Sequence, residues 1–365
     1  MSKTRKIVKW SFLSLAAVIV SVLCFAVWFM NLIPSPEIPK DVQKQIKPTE
    51  LSYLTDHQIP DRGKILAVVT SIDKIGNTQK STGYELTELA RAYYVFQANG
   101  FDVVVASTVG GKAPMVVDKD DMREYDYAFL NDTSAMKKIN NTVALESVNV
   151  DAYDAIYFVG GKGAMFDFPI NKKIQHIVKN YYESGKVIGA VCHGPAALID
   201  VTLSNGHPLL DGKQISAFTN EEELLLIPEA REIFPYLLQD QLDAKGARFN
   251  KGIMYLNQVS IDGKLVTGQN PWSTWSVAEN MIRQLGYQPK YRKPSSEEKT
   301  IDLLEVYEKK GYDKAKMILK DNCQKDSRSI DRELLGVHAL LAAYQLRLLK
   351  FTELTMLLNI SNEYL

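Results

Sequence analysis

The stretch Lys186-Val-Ile-Gly-Ala-Val-Cys-His-Gly-Pro-Ala-Ala-Leu198 is typical of a buried strand that stops at a cysteine and turns at once into a helix. The five residues before the cysteine are apolar or small, as in a parallel strand covered on both faces. Pro195 falls in the first helical turn, where its missing N–H would have no partner anyway. We therefore expect Cys192 at a sharp turn beside free helix amides, which together with the helix dipole favour its thiolate. His193 is then placed to act as a base.

Strand-like and helix-like segments alternate through the middle of the chain. The predicted strands are Ile65–Thr70, Phe101–Ala106, Ala155–Val159, Val187–Val191, Gln214–Phe218 and Lys264–Thr267, and the predicted helices among them are Glu85–Asn99 and Lys172–Ser184. Such alternation predicts a parallel sheet with helices on both faces. Active sites of such sheets lie beyond the carboxyl ends of the strands. The cysteine at the end of its strand is therefore a candidate nucleophile.

Several motifs in the same order resemble the ThiJ/PfpI superfamily, relatives of class I glutamine amidotransferases. The likeness covers residues 64–287 and is greatest to the heat-shock branch of glutathione-independent glyoxalases. The motifs are TGYELTE (82–88), GGKAP (110–114), GGKGAMFDFP (160–169), AVCHGPA (190–196), FTNEEE (218–223) and TGQNP (267–271). Motifs in a fixed order are far more specific than one pattern match. The resemblance implies a flavodoxin-like, three-layer α/β/α domain over residues 63–289, with a mostly parallel sheet and a nucleophile elbow.

The resemblance also implies a catalytic set. Cys192 is the nucleophile, Glu88 sits against it, His193 is the base and Glu223 is the acid that orients the base. A buried carboxyl beside a thiol tends to stay protonated, and such a pair titrates as a unit. The run of three glutamates at 221–223 leaves the orienting acid open by a residue or two.

The oxyanion stabilisers implied by the resemblance are backbone amides. One belongs to His193, the residue after the nucleophile, and the other to Gly161, where glycine lets the backbone approach a substrate closely. Lys162 departs from the branch, which usually carries a histidine between these glycines. A lysine can still face an anionic substrate or intermediate, so we predict Gly161, Lys162 and His193 as substrate-binding residues.

The implied reaction needs no cofactor and no metal. The thiolate adds to the aldehyde of methylglyoxal or a similar 2-oxoaldehyde, and a 2-hydroxy acid such as lactate is released. The five histidines lack ligand-like spacing with carboxylates or cysteines. Two alternatives stay open: a cysteine peptidase or amidase on the same fold, and a stress chaperone or redox sensor that uses Cys192 without turnover.

The composition of the chain limits the classes of partner that we expect it to bind. The chain has 365 residues with 43 basic and 43 acidic side chains, so a nucleic-acid partner is not expected. Its three cysteines give no readable disulfide framework. The expected partner is a small-molecule aldehyde, and the resemblance adds a homodimer.

The sequence of the N-terminal segment predicts a membrane-spanning helix. Residues 10–30 contain no charge and match the roughly 20 residues that span a bilayer. Four basic residues precede the run, which predicts a cytoplasmic N-terminus and a catalytic domain on the periplasmic or extracellular side. We expect an uncleaved single-pass anchor over residues 1–34 rather than a signal peptide, then a proline-bearing linker over 35–62.

The tail over residues 290–365 has helical patterns only. Ser295-Ser-Glu-Glu298 is a plausible helix start, and further helices are predicted at Tyr312–Cys323, Arg332–Lys350 and Thr352–Glu363. Partly similar segments hint at a tetratricopeptide-like repeat, which would bind a protein partner. We favour the other interpretation, a helical lid or dimer arm that packs on the main domain.

Overall fold

The computed structural model describes residues 3–33 and 40–365. The described residues fall into two compact units, one within Ile38–Lys293 and the other within Met1–Glu37 and Pro294–Leu365. Residues 34–39, where the predicted anchor ends and the predicted linker begins, lie outside the described residues, as do residues 1 and 2.

The strands and helices are numbered in chain order. The strands are β1 (Gly63–Val69), β2 (Tyr84–Glu85), β3 (Phe101–Ser107), β4 (Met115–Val116), β5 (Val143–Ala144), β6 (Ala155–Phe158), β7 (Val187–Val191), β8 (Gln214–Ile215), β9 (Arg248–Phe249), β10 (Val259–Asp262) and β11 (Leu265–Gly268). The α-helices are α1 (Lys3–Leu32), α2 (Lys40–Gln43), α3 (Ser52–Thr55), α4 (Leu86–Ala98), α5 (Glu124–Leu130), α6 (Thr133–Asn140), α7 (Ala164–Asp167), α8 (Lys172–Glu183), α9 (Asn220–Leu226), α10 (Ala230–Ile233), α11 (Leu238–Ala244), α12 (Thr274–Gln284), α13 (Ser296–Lys310), α14 (Tyr312–Lys325), α15 (Arg332–Tyr344) and α16 (Leu348–Asn362). Short 3-10 helices lie at Pro48–Glu50, Leu145–Ser147, Val150–Ala152, Gly194–Leu198 and Pro271–Ser273.

The larger unit is built on a seven-stranded sheet in the order β10-β11-β7-β6-β1-β3-β5. All neighbours run parallel except the edge pair β10 and β11. This mostly parallel sheet with its helices agrees with the flavodoxin-like architecture expected from the sequence. The carboxyl ends of β6, β7 and β11 lie side by side, so the residues that follow these three strands are brought together.

The predicted strand at 214–218 is wrong beyond its first two residues. Only Gln214–Ile215 is a strand, and it pairs with β9 in a separate two-stranded sheet. Ser216 breaks the ladder because its amide donates to the Thr267 hydroxyl (3.0 Å) and its hydroxyl donates to the Asn250 carbonyl (2.9 Å). The segment therefore contacts the side chain of a β11 residue instead of pairing with a strand of the main sheet.

The centre of the core is β7, whose five residues are all buried. Gly189 allows this close packing, because a Cβ there would lie 2.1 Å from the Met281 sulfur of α12. Leu51 and Tyr53, inside the predicted linker, are also buried in this core. The Tyr53 hydroxyl accepts a hydrogen bond from Asn99 (3.3 Å), so this part of the segment packs on the domain.

The predicted membrane anchor is wrong. None of the helices in residues 3–33 and 40–365 combines the length and apolar character that crossing a bilayer requires. The end of α1 instead packs within its own unit: Phe29 is 3% exposed, and its ring and that of Phe25 lie about 6 Å from the ring of Phe351 on α16. Asn362 also donates to the Leu32 carbonyl (2.6 Å). The predictions that the membrane is a partner and that the catalytic domain lies on the outer side depended on this anchor, and they are therefore wrong as well.

The C-terminal part of the smaller unit consists of helices α13 to α16, whose bounds differ in part from those predicted. The helix predicted to run to Lys350 ends at Tyr344, because Leu346 adopts a left-handed backbone (φ 58°) and a new helix starts at Leu348. Ser295 caps α13 through the expected capping box with Glu298. A repeat-like role for these helices stays a prediction.

Candidate active site

Cys192 sits on a strained turn directly after β7. Its φ of 58° lies in the left-handed region, which costs a residue with a side chain about 1–3 kcal/mol. Two backbone hydrogen bonds hold the turn: the Cys192 amide donates to Gly268 (2.9 Å), and the Phe218 amide donates to the Cys192 carbonyl (3.0 Å). Neighbouring segments thus fix the backbone on both sides of the thiol.

A buried chain of contacts leads from the thiol to a carboxylate. The Cys192 sulfur lies 3.3 Å from His193 Nδ1, and His193 Nε2 lies 2.5 Å from Glu223 Oε2. All three residues are less than 5% exposed. Burial alone would raise the pKa of Glu223, but the charge of His193 and its hydrogen bond outweigh burial and lower it. The arrangement orients the ring so that the nitrogen facing the thiol can take its proton.

Helix phase separates the three consecutive glutamates. Glu221 points outward and pairs with exposed Lys251 (2.5 Å). Glu222 is buried and accepts hydrogen bonds from other segments, while Glu223 faces His193. Successive residues of a helix differ by about 100° around its axis, so only one of three neighbours can face the imidazole.

Glu88 lies in the first turn of α4 and is completely buried. Its carboxyl is next to the nucleophile across Gly160: a Cβ at Gly160 would be 2.5 Å from Glu88 Oε2 and 2.8 Å from the Cys192 Cβ. Burial raises the pKa of Glu88 to about 8. The carboxyl is therefore mostly protonated at neutral pH and available as a proton donor beside the sulfur.

The expectation that the elbow lowers the thiol pKa is wrong for the free protein. Burial, and then the carboxyl of Glu88, raise the pKa of Cys192 well above its usual value. The segment after the turn is a five-residue 3-10 helix, Gly194–Leu198, whose dipole is smaller than that of the expected α-helix. The thiol therefore needs a base to ionise, and His193 is the base in contact with it.

The loop after β6 places a second amide near the nucleophile. Gly161 has a φ of 102°, and a Cβ there would lie 2.4 Å from the Gly83 carbonyl, so glycine is required. Among the described residues, the amides of Gly161 and His193 donate no hydrogen bond to another residue. The loop is held by Asp167, which accepts hydrogen bonds from Thr70 (2.9 Å) and from two further donors, the Ser71 amide and the Thr108 hydroxyl.

Lys162 is the cation of this loop. It is partly buried, and in the described part of the chain no carboxylate lies at ion-pair distance from its ammonium. Its charge nevertheless lowers the pKa of Glu88, Cys192 and Glu223, whereas burial raises the pKa of each of these groups. Lys162 thus acts electrostatically on all of these groups.

Sequence reasoning missed one group that borders the site, Glu85, and left the part of a second, Glu222, open. Burial and the charge of Glu88 raise the pKa of Glu85 well above its usual value, and its Oε1 has no hydrogen-bond partner among the described residues. Glu222 is one of three alternatives by sequence, although Thr219-Asn-Glu-Glu222 has the spacing of a capping box, a signal that identifies it as structural. In the described ranges, no group of three or more histidine, cysteine, aspartate or glutamate side chains is arranged to hold a metal ion.

The fold and the elbow agree with the comparison with known families. The chain belongs to the DJ-1/PfpI family, whose family model matches residues 80–284. This match runs from the region before α4 to the end of α12; it includes the elbow and leaves out strand β1.

Individual relatives share the same part of the chain. The glutathione-independent glyoxalase HSP31 of Saccharomyces cerevisiae is 32% identical over 61% of this chain and 98% of its own length. Glyoxalase III of Candida albicans, a solved structure, has a TM-score of 0.55 at 28% identity, covering 61% of this chain and 97% of its own. The Rapid Encystment Protein 24 kDa of Francisella tularensis has a TM-score of 0.58 at 35% identity, covering 61% and 99%.

Proposed function

We propose that the protein is a cofactor-independent enzyme that converts methylglyoxal or a related 2-oxoaldehyde into a 2-hydroxy acid without glutathione. The observation that carries the proposal is the buried contact chain Cys192–His193–Glu223, with 3.3 Å and 2.5 Å steps, at a strained turn. The names of the two glyoxalase relatives, both covered over nearly their full length, support the same activity.

The first step is addition of the thiol to the aldehyde. His193 Nδ1 takes the thiol proton, and the sulfur forms a bond to the aldehyde carbon, whose oxygen becomes an alkoxide. The free amides of Gly161 and His193 are suited to receive that oxygen. Protonation of the alkoxide gives a hemithioacetal, and Glu223 stabilises the imidazolium that formed.

The second step moves hydrogen between two carbons of the substrate. A base removes the proton from the carbon bonded to sulfur, an enediol forms, and a proton is delivered to the neighbouring carbon, which leaves a thioester. His193 and the protonated Glu88 are the groups proposed to exchange these protons. Water then cleaves the thioester, so one 2-oxoaldehyde and one water give one 2-hydroxy acid with no external oxidant or reductant.

The deciding test of this proposal is product formation by the purified full-length chain. Methylglyoxal loss and lactate formation are followed in the absence of glutathione, and we expect stoichiometric lactate. A folded protein that turns over no 2-oxoaldehyde but cleaves amide or peptide substrates would replace the proposal with the cysteine hydrolase alternative. The same elbow and amides can serve acyl transfer.

Removing the charge of Lys162 is expected to slow this reaction. Lys162→Met removes a cation that acts on the thiol and both carboxyls and that would stabilise the alkoxide and the enediolate. We expect kcat to fall about tenfold, which is about 1.4 kcal/mol of barrier. Lys162→Arg keeps the charge and serves as the control, with a loss of less than about threefold. Equal kcat values for the two variants in steady-state lactate assays would contradict this role.

Replacing Glu88 is expected to shift the reactivity of the thiol to lower pH. Burial is the largest cause of the raised pKa of Cys192, and the carboxylate that Glu88 becomes above about pH 8 raises it further because like charges repel. Glu88→Gln keeps the shape and removes that charge, so the pKa of the thiol should fall. Rates of alkylation by iodoacetamide measure the midpoint, over a pH range that extends from about pH 7 to well above the usual thiol pKa of about 8.5. Glu221→Gln, which removes an exposed carboxylate, should leave the midpoint unchanged. An unchanged midpoint in Glu88→Gln would refute the effect of Glu88 on the pKa of the thiol.

A further inference from the structure

Glu222 is a completely buried carboxyl that forms five hydrogen bonds. Its Oε2 accepts from the amide and the hydroxyl of Thr219 (3.1 and 2.8 Å). Its Oε1 accepts from the Tyr255 amide (2.9 Å), Gln269 Nε2 (3.0 Å) and Asn270 Nδ2 (3.0 Å). All five partner atoms are donors, so both carboxyl oxygens act as acceptors. The carboxyl is held firmly in position, because any movement that breaks one of these bonds leaves a buried donor unpaired.

The five donors come from three segments that surround the catalytic set. Thr219 is the N-cap of α9, and Tyr255 lies in the loop between β9 and β10 with a left-handed φ of 57°. Gln269 and Asn270 directly follow β11, whose last residue accepts the hydrogen bond of the Cys192 amide. Glu222 therefore joins the start of α9 to the strand end that holds the nucleophile.

Glu223, the next residue, has far fewer contacts of its own. Its Oε2 contacts His193, and its Oε1 is buried without a hydrogen-bond partner in the described part of the chain. No other side-chain hydrogen bond within the described ranges directs this carboxylate, so its place opposite the imidazole depends on the backbone of the first turn of α9. That turn is the one that Glu222 secures.

We propose that Glu222 is a positioning residue that sets the distance between Glu223 and His193. It touches neither the thiol nor the imidazole and acts by fixing the first turn of α9 against the end of β11. The inference rests on the proposed function, because it gives Glu222 a part in the same reaction.

The test replaces Glu222 with Gln in the full-length protein. The variant places an NH₂ group where one carboxylate oxygen now accepts hydrogen bonds. If it replaces Oε2, the Thr219 hydroxyl can accept from it but the Thr219 amide loses its acceptor, and if it replaces Oε1, three donors lose theirs. At least one buried donor is therefore left unpaired, and we expect the turn to shift. A displacement of about 1 Å at a catalytic group costs up to about 100-fold, so we expect kcat for lactate formation to fall between about 10-fold and about 100-fold with KM changed less than about threefold. The matched control is Glu221→Gln, the same change on the exposed neighbour, which should keep wild-type kcat.

A spectroscopic readout separates positioning from a general loss of structure. The proton between His193 and Glu223 should give a downfield proton NMR signal in the wild type, as expected for a 2.5 Å contact. We expect this signal to move upfield or vanish in folded Glu222→Gln and to persist in Glu221→Gln. A folded Glu222→Gln protein with the wild-type signal and wild-type kcat would overturn the proposal.

A second variant covers the case in which Glu222→Gln does not fold. Thr219→Val removes the hydroxyl that donates to the Glu222 carboxylate and accepts from the Glu222 amide. It should change the signal and kcat in the same direction by a smaller factor, whereas Thr219→Ser, which keeps the hydroxyl, should change neither. A folded Thr219→Val protein that matches the wild type in both measurements overturns the proposal. The NMR signal also needs no substrate, so a wild-type protein without glyoxalase activity would sink the proposed function while leaving the positioning role open to proof or refutation.

Discussion

Cys192→Ala is expected to lose at least about 10⁴-fold in the rate of lactate formation, equivalent to about 5.4 kcal/mol of transition-state stabilisation. In the proposed reaction the sulfur forms the bond to the aldehyde carbon, and neither neighbour of the thiol can replace it: Glu88 is mostly protonated at neutral pH, and His193 is held by Glu223. The variant should fold, because alanine and cysteine meet the same backbone strain at a φ of 58° and the substitution removes a single heavy atom. Steady-state assays with circular dichroism as the folding check measure the effect.

The chain supplies its own control for this substitution. Cys323 is another buried thiol, 3% exposed, and lies on α14 in the other unit. Cys323→Ala removes the same atom and should keep wild-type turnover. Lactate formation by Cys192→Ala within about tenfold of wild type would reject covalent catalysis at this residue.

Gly161→Ala is expected to lower kcat by about 10²- to 10³-fold, the loss known for removal of one oxyanion donor. Two causes act together. The φ of 102° is strained for any residue with a Cβ, and that Cβ would lie 2.4 Å from the Gly83 carbonyl and 2.8 Å from the Tyr84 Cα. Backbone atoms cannot move aside as a flexible side chain can, so the loop must shift and its free amide moves away from the substrate.

Gly185→Ala separates these two causes. Gly185 also has a left-handed backbone, with a φ of 69°, but a Cβ there meets no atom within 4 Å. This variant should lose about 1 kcal/mol of stability from strain and keep wild-type kcat. If both glycine variants lose stability alike and neither loses activity, Gly161 has no part in binding the alkoxide.

The elbow strand could be predicted accurately because its signal is local. Val187–Val191 has the predicted bounds, since a short apolar run before a cysteine, glycine and proline leaves little freedom. The segment at 214–218 could not, because the hydrogen bonds of Ser216 to Thr267 and Asn250 decide its path, and those partners are distant in sequence. The order of strands in the sheet also depends on contacts between residues distant in sequence, so local patterns do not predict it.

The proximity of the candidate site residues could be predicted from the sequence, whereas their electrostatics could not. Motif order placed Glu88, Cys192 and His193 in one region, and the fold brings them together at the strand ends. The raised pKa of the thiol depends on burial in three dimensions, which no sequence motif states. The apolar run of α1 had the length of a membrane span, but the packing of Phe29 against Phe351 is invisible in the sequence.

The adjacency of Cys192 and His193 has a consequence for partial unfolding. One peptide unit sets the separation of nucleophile and base, whereas the contact from His193 to Glu223 spans 30 residues of chain and depends on the seating of α9. Heat or denaturant that loosens α9 should therefore disconnect the carboxylate before it separates imidazole from sulfur. Mild heating or a low concentration of denaturant would leave a protein that still reacts with alkylating agents but has lost turnover. Counting reactive thiols would therefore overestimate the fraction of active protein.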